Sequence, residues 1–275
     1  MPLRPRQLRP ARPSHRVELR YRNALLVIAR ELASATATHL LPVLRSYEWA
    51  YHVGDSLMRD VRDVTSGAVL MAIERAIASI SADTVSRMAW RPEALAEAMI
   101  GAQNEATKEA LRTSIQSAYG LDITALLEGQ DIAPTLNLAR RMNVELIRSI
   151  PSEYLRGLNQ RVFLGVQQGA RYETLASDIQ ELYGVTENRA KLIARDQTAK
   201  TNAAITQARQ TDLGITHYRW STAGDERVRE THAANEGKVF AWDDPPAETG
   251  HPGDDVNCRC VAIPLLGYSE NGEEV

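Results

Sequence analysis

Apolar residues at three- and four-residue spacing dominate roughly the first 200 residues, and this periodicity is what most constrains the fold. Leu25, Ile28 and Leu32 follow that spacing near the N-terminus, and residues 66–88 and 92–118 continue it. Only 5% of the residues are aromatic, and two of them are Phe, so a core has to be built from Leu, Ile, Val and Ala. The sequence therefore predicts a helical body.

Proline and glycine residues mark the expected ends of the helices. Pro42 is predicted to interrupt the first helix because it lacks an amide donor. Pro151 is expected to start a helix that Gly169 ends, and Gly184 and Gly214 are expected to end the two helices that follow.

The pattern changes to strand-like alternation near residue 215. Residues 215–220, 238–242 and 260–263 are predicted to form three short strands. The expected fold class is α+β, with a predominantly α-helical N-terminal body and a small C-terminal α+β module of short antiparallel strands.

Four successive regions are predicted along the chain. Residues 1–22 are expected to form a basic flexible arm, and residues 23–142 a helical N-terminal domain. Residues 143–266 are expected to form a second domain, whose α+β module begins near residue 215. An acidic tail is expected over residues 267–275.

Charge is distributed unevenly. Residues 1–22 contain seven arginines and one acidic residue, whereas residues 215–275 contain five basic and twelve acidic residues. A protein that coats nucleic acid over its whole surface is therefore excluded, because phosphate binding needs positive charge. The candidate contacts to DNA or to an acidic partner are the arginines of the arm, namely Arg4, Arg6, Arg9, Arg12 and Arg16.

Composition also limits the class of protein. No apolar run approaches the ~20 residues of a membrane span, so no membrane association is expected. The basic start is not followed by the apolar stretch of a secretory signal. Two cysteines exclude a scaffold built from disulfides, and a bond between Cys258 and Cys260 would close a small strained ring.

The two cysteines lie near two histidines in a pattern that suggests a metal site. His232, His251, Cys258 and Cys260 follow the spacing H-x18-H-x6-C-x-C. Two thiolates and two imidazoles suit tetrahedral zinc. The alternative is a pair of buried free cysteines that pack as small apolar side chains.

Two further interpretations compete for the same region. Catalysis by Cys258 or Cys260 would need activation by His232 or His251, with Arg259 lowering the thiol pKa. The structural interpretation assigns the turn and ion-pair residues to closing a small fold. These structural residues are Asp225, Arg227, Gly237, Pro252, Gly253, Asn257 and Arg259.

An ordered series of short motifs spans this region. They read Tyr218-Arg-Trp220, Asp225-Glu-Arg227-Val-Arg229, His232, Gly237, Pro252-Gly253-Asp254 and Asn257-Cys258-Arg259-Cys260. The combination resembles the C-terminal signature of the phage Mu F-like minor head proteins, also called the phage head-morphogenesis or minor capsid family. The resemblance covers about residues 143–264. Many members carry a Cys-x2-Cys pair where this chain has Arg229 and His232.

The resemblance implies a structural protein of a tailed phage or prophage, not an enzyme. Its expected place is the virion, at the portal vertex or head interior, and the bacterial host cytoplasm during assembly. The partners implied are the portal protein and the major capsid or scaffold protein, with phage DNA contacted through the arm during packaging. No cofactor is expected, or one structural zinc. The alternative is a zinc- or thiol-dependent hydrolase or a toxin-like enzyme module.

Overall fold

The computed structural model describes residues 8–46, 59–88 and 91–267, and helices make up most of them. The helices are α1 His15–His39, α2 Arg59–Met88, α3 Arg91–Tyr119, α4 Thr124–Glu128, α5 Ala133–Gln167, α6 Tyr172–Asp212 and α7 Glu230–Ala233. The strands are β1 His217–Ser221, β2 Val239–Ala241 and β3 Val261–Leu265. The predicted α+β class is confirmed.

The predicted interruption at Pro42 is present. Helix α1 ends at His39, and a short helical stretch follows over residues 41–46. Pro42 lies in the first turn of that stretch, where a missing amide donor costs little. The backbone amide of Leu44 then donates to the carbonyl of Leu40 at 3.0 Å.

Two predicted helix boundaries are wrong. Pro151 lies inside the continuous helix α5, and helix α6 runs through Gly184. Buried residues on both sides of each position explain why the helices continue, and Ile150 and Tyr154 flank Pro151 in this way. Packing of those side chains offsets the local cost of a proline or glycine in a helix.

Helix α6 ends close to Gly214, as predicted. Gly214 has a φ of 73°, and its amide donates to the carbonyl of Thr211 at 2.9 Å. The amide of Ile215 donates to the carbonyl of Gln210 at 2.9 Å. These two bonds close the last turn and direct the chain into strand β1.

Strand β1 is the centre of a three-stranded antiparallel sheet with the order β2-β1-β3. His217 pairs with Ala241 of β2 and with Leu265 of β3. The small core at this sheet consists of Tyr218, Trp220, Trp242, Cys258, Cys260 and Ala262, with Phe240 packed against it. Both cysteines are therefore part of the hydrophobic core of the module.

The chain forms two compact units, each made of separate segments. The first unit combines Met1–Tyr21, Leu95–Asn143 and Leu192–Val275, and therefore includes the sheet. The second combines Arg22–Ala94 and Val144–Lys191. The four successive regions predicted from the sequence stay a prediction of which role each part of the chain has.

The core of the second unit is helical and contains a buried hydrogen bond. Leu25, Leu32 and Leu158 are fully buried within it. The hydroxyls of Thr36 and Tyr154 lie 2.9 Å apart. Pairing these two polar groups removes the free-energy cost of burying either one alone.

The described part of the basic segment is packed, which differs from the flexible arm that we predicted. Leu8 lies in a core cluster with Leu111, Ile115, Ile123, Leu127 and Ile263. The amide of Arg9 donates to the hydroxyl of Ser114 at 2.6 Å, and Asn202 donates to the carbonyl of Ala11 at 2.9 Å. Apolar residues between the arginines provide this anchoring.

One stretch of the described residues, His15–Ser46, is long and apolar enough to cross a membrane by length and composition. This differs from the expectation that no apolar run approaches that length. Core helices of soluble proteins meet the same criterion, and Leu25, Ile28 and Leu32 of this stretch are buried in the second unit.

Replacing Gly253 with alanine should destabilise the first unit. Gly253 is buried with a φ of 104°, and an added Cβ would lie 2.4 Å from the Cβ of Ala203. We expect Gly253→Ala to lower the free energy of unfolding by about 2 kcal/mol, measured by urea denaturation.

Gly101→Ala is the matched control, because Gly101 lies in helix α3 with nothing within 4 Å of an added Cβ. Alanine there should raise the free energy of unfolding by about 0.5–1 kcal/mol. Equal stabilities of the two variants would contradict the close packing of Gly253 on α6.

Candidate metal centre

Three potential metal ligands converge beside the sheet. His232 lies on the short helix α7, and Cys258 and Cys260 precede strand β3 by a few residues. The Nδ1 atom of His232 lies 3.5 Å from the sulfur of each cysteine, and the three ligand atoms lie within 4.8 Å of one another. All three side chains are buried.

These separations fit a tetrahedral zinc ion. With Zn–S bonds of about 2.3 Å and Zn–N bonds of about 2.0 Å, tetrahedral angles place nitrogen and sulfur about 3.5 Å apart. The two distances from His232 to Cys258 and Cys260 have this value. One imidazole and two thiolates are also ligands that zinc prefers.

A carboxylate orients the histidine for this role. The Nε2 atom of His232 lies 2.9 Å from a carboxylate oxygen of Asp255. An ionised carboxylate only accepts hydrogen bonds, so Nε2 carries the proton and Nδ1 presents its lone pair to the sulfurs. Metal-bound histidines are commonly held in this way by a second group.

The left-handed backbone of Asn257 positions the cysteine segment on helix α6. Asn257 has a φ of 59°, and its amide donates to Asp196 at 2.8 Å. Its side-chain oxygen accepts a hydrogen bond from the Nε of Arg195 at 2.8 Å. Asparagine tolerates this conformation better than most residues, and the two bonds fix the residue that precedes Cys258.

The thiols have opposite pKa shifts because they interact. A hydrogen bond from Cys260 lowers the pKa of the Cys258 thiol to about 6, with burial opposing that change. The same interaction and burial raise the pKa of Cys260. Cys258 is therefore the thiol that ionises first, which favours the approach of a cation.

An ion pair outside the cluster holds the intervening arginine. Both terminal nitrogens of Arg259 donate to the carboxylate of Asp225 at 2.5 Å. The Arg259 guanidinium lowers the pKa of Asp225. Arg259 therefore connects the cysteine segment to the loop after β1.

The fourth predicted ligand, His251, does not join the cluster. Its Nδ1 lies 2.9 Å from the hydroxyl of Tyr218, and its ring packs 4.9 Å from that of Trp242. The backbone amide of His251 donates to Asp254 at 2.7 Å. The turn at Pro252 and Gly253 thus holds His251 against other aromatic residues, and the structure brings together three of the four residues proposed from spacing.

The remaining predicted residues have structural contacts or lie on the surface. Gly237 has a φ of 75°, and its amide donates to the carbonyl of Trp220 at 2.9 Å. Pro252 is buried, and the amide of Arg227 donates to Asp225 at 3.2 Å. Of the five candidate arginines of the N-terminal segment, Arg9, Arg12 and Arg16 are exposed. Arg4 and Arg6 lie outside the described residues.

Three residues around the cluster were assigned no role from the sequence, namely Arg195, Asp196 and Asp255. Arg195 and Asp196 lie on α6, about 60 residues before the cysteines they support. Asp255 follows another acidic residue, Asp254, and nothing in their spacing distinguishes the one that contacts His232. The only signal available was their position within residues 143–264, the region that the resemblance covers.

The fold and the cluster define a helical protein with a C-terminal cysteine–histidine module. Residues 156–263 match the family described as Phage Mu protein F like protein. This match confirms the resemblance over those residues, which include the cluster, strands β1 and β2 and the first three residues of β3. No solved structure matches the chain.

Two curated proteins are similar to this chain. A Haemophilus influenzae protein described as uncharacterized is 33% identical over 268 residues, which are 97% of this chain and 57% of that protein. An Enterococcus faecalis protein named NAD(+)--arginine ADP-ribosyltransferase EFV is 26% identical over 179 residues. Those residues are 55% of this chain and 37% of that protein. The chain thus spans 57% or less of either relative's length.

Metal analysis of the purified protein tests the cluster. We expect about one zinc per chain, lost in Cys258→Ser and in His232→Ala but retained in His251→Gln. Chelation should lower the melting temperature of the unchanged protein and of His251→Gln alike. Loss of zinc in His251→Gln, or no zinc in the unchanged protein, would contradict the three-ligand arrangement.

The buried position of His251 predicts a pH effect on stability. Burial lowers the pKa of His251 below its ordinary value of 6.5. The unfolded chain therefore binds a proton before the folded chain does, so this contribution to stability is complete above pH 6.5. It is lost as the pH falls through the lower pKa of the folded protein.

We expect the melting temperature to fall less between about pH 7.5 and about pH 5.5 in His251→Gln than in the unchanged protein. Differential scanning calorimetry at the two pH values measures this change. An equal fall in both proteins would show that His251 does not contribute.

Proposed function

We propose that the chain is a minor head protein of a tailed phage or prophage that acts in head morphogenesis. The observation that carries this proposal is the Phage Mu protein F like match, which covers most of the module, all of α6 and the C-terminal part of α5. Its place would be the portal vertex or procapsid interior, with the portal protein and the major capsid or scaffold protein as partners. The virion would contain it after assembly in the host cytoplasm.

In this proposal the Cys–His cluster holds one structural zinc. The core at the sheet has only six buried residues, and two of them are the cysteines. Binding of a metal to a folded site adds its binding free energy to folding, which suits a small module of this kind. Zinc would join α7 to the segment before β3 and so hold the end of the described chain on the sheet.

Exposed apolar side chains on the first unit support a role in assembly. Leu121, Leu126, Leu138 and Met142 are each more than half exposed. Leu138 and Met142 lie one turn apart on α5, and neighbouring exposed apolar side chains are typical of a surface that another protein covers. We assign this surface to a head partner, portal or scaffold.

The exposed arginines of the N-terminal segment provide a contact to DNA or to an acidic portal surface. Deleting the segment would remove Leu8 and Ala11 from the core, so the test must change charges only. We expect Arg9, Arg12 and Arg16 changed together to Gln to weaken DNA and portal binding at low salt, and to reduce its salt dependence. Fluorescence anisotropy measures both the affinity at low salt and its dependence on salt concentration.

The control for this experiment changes Arg75, Arg87 and Arg156 to Gln, since these arginines are also exposed and lie in the second unit. It removes the same charge and should leave binding within about twofold of the unchanged protein. Equal weakening in both triple variants would reject a specific role for the N-terminal arginines.

Mass spectrometry of purified particles tests the proposed function itself. We expect the chain in virions and procapsids at a few copies per head, and we expect particles made without it to be defective in assembly or packaging. Its absence from both kinds of particle would reject the proposal.

A second candidate is a zinc- or thiol-dependent enzyme. It is favoured by the lowered pKa of Cys258 beside His232 and by the similarity to a protein named as an ADP-ribosyltransferase. The shared region is 37% of that protein's length, so the similarity alone assigns no catalytic part to this chain. NAD-dependent labelling of arginine, or hydrolysis abolished by Cys258→Ser, would favour the enzyme instead.

A further inference from the structure

A cavity of about 220 Å³ is lined on one side by the three residues of the Cys–His cluster, and the rest of its lining is rich in arginine. Four of its ten lining residues are arginines, and none is acidic. The arginines come from helix α6, the loop after β1 and the cysteine segment. They are Arg195, Arg227, Arg229 and Arg259.

Nearby carboxylates form ion pairs with two of these four arginines, and the charge of Arg227 also helps to lower the pKa of Asp225 without a side-chain hydrogen bond. Asp225 forms a two-bond ion pair with Arg259, as described above. Arg229 lies 3.5 Å from a carboxylate oxygen of Asp255 and donates to the carbonyl of Val256 at 2.7 Å. These two arginines therefore already have anionic partners.

The other two arginines keep most of their hydrogen-bonding capacity. Arg195 uses its Nε to reach Asn257, which leaves its terminal nitrogens available. The guanidinium of Arg227 donates no hydrogen bond within the described part of the chain, and the side chain is exposed. Like charges gathered at one cavity repel each other unless an anion neutralises them.

We propose that this cavity binds a phosphate group. A guanidinium presents several N–H donors in a plane, and phosphate oxygens accept them in pairs. Phosphate offers more oxygens than the two of a carboxylate, so it matches donors that approach from separate elements of the fold. The proposal rests on the arginines and does not require a metal ion or a role in head assembly.

Two sources of the phosphate are distinguished by experiment, the backbone of DNA and free inorganic phosphate. Isothermal titration calorimetry of the full chain with inorganic phosphate measures binding of the phosphate group alone. Anisotropy with a labelled single-stranded oligonucleotide measures binding of the same group within DNA.

Arg227→Ala is the test variant, because it removes a guanidinium that supports no other residue through a side-chain hydrogen bond. We expect its affinity for inorganic phosphate to fall about tenfold. Arg227→Lys keeps the charge but not the paired donors. Its affinity for inorganic phosphate should lie between that of the unchanged protein and that of Arg227→Ala. The matched control is Arg141→Ala, an exposed arginine of the same unit outside the cavity, which should stay within about twofold.

Each outcome decides the proposal. Loss of affinity in Arg227→Ala for phosphate and for the oligonucleotide supports a DNA phosphate as ligand, and loss for phosphate alone supports a free phosphate. Failure of the unchanged protein to bind either probe overturns the proposal, as does equal binding by Arg227→Ala and Arg141→Ala. The variant with Gln at positions 9, 12 and 16 should keep its affinity for inorganic phosphate, which separates this site from the N-terminal arginines.

Discussion

Burial of the inner face of strand β1 determines where the functional side chains of the module lie. Tyr218 and Trp220 are fully buried in the middle of this five-residue strand. The ring of Trp220 lies 5.6 Å from that of His232, and the ring of Tyr218 lies 5.6 Å from that of His251. The two histidines are thus directed to different parts of the core, and only one of them reaches the cysteines.

Helix α6 provides the second support for the module. Asp196 accepts the amide of Asn257, and Ala203 leaves room only for a glycine at position 253. The turn that leads into the cysteines is therefore fixed at its two ends, by close packing at Gly253 and by a hydrogen bond at Asn257. This explains how a loop with little regular structure can hold ligand atoms at the spacing that zinc requires.

Local patterns predicted the element types well, because helix periodicity and strand alternation reflect burial within a few residues. They did not predict that α5 continues through Pro151 or that Leu8 enters a core cluster, since both depend on residues far away in the chain. The same limit applies to the site. Spacing identified His232, Cys258 and Cys260, but the separation of His251 follows from its packing on Tyr218 and Trp242, which no spacing rule contains.

The discontinuous make-up of the two compact units has a consequence for biosynthesis. The second unit is complete once the ribosome has made residue 191, whereas the first also needs the segment from Leu192 onward. Leu8 and its cluster neighbours Leu111 and Ile115 must therefore wait for Ile263, which is made later than any of them. Until then their apolar surface is exposed to the cell, so chaperone binding during translation should be directed to the first unit.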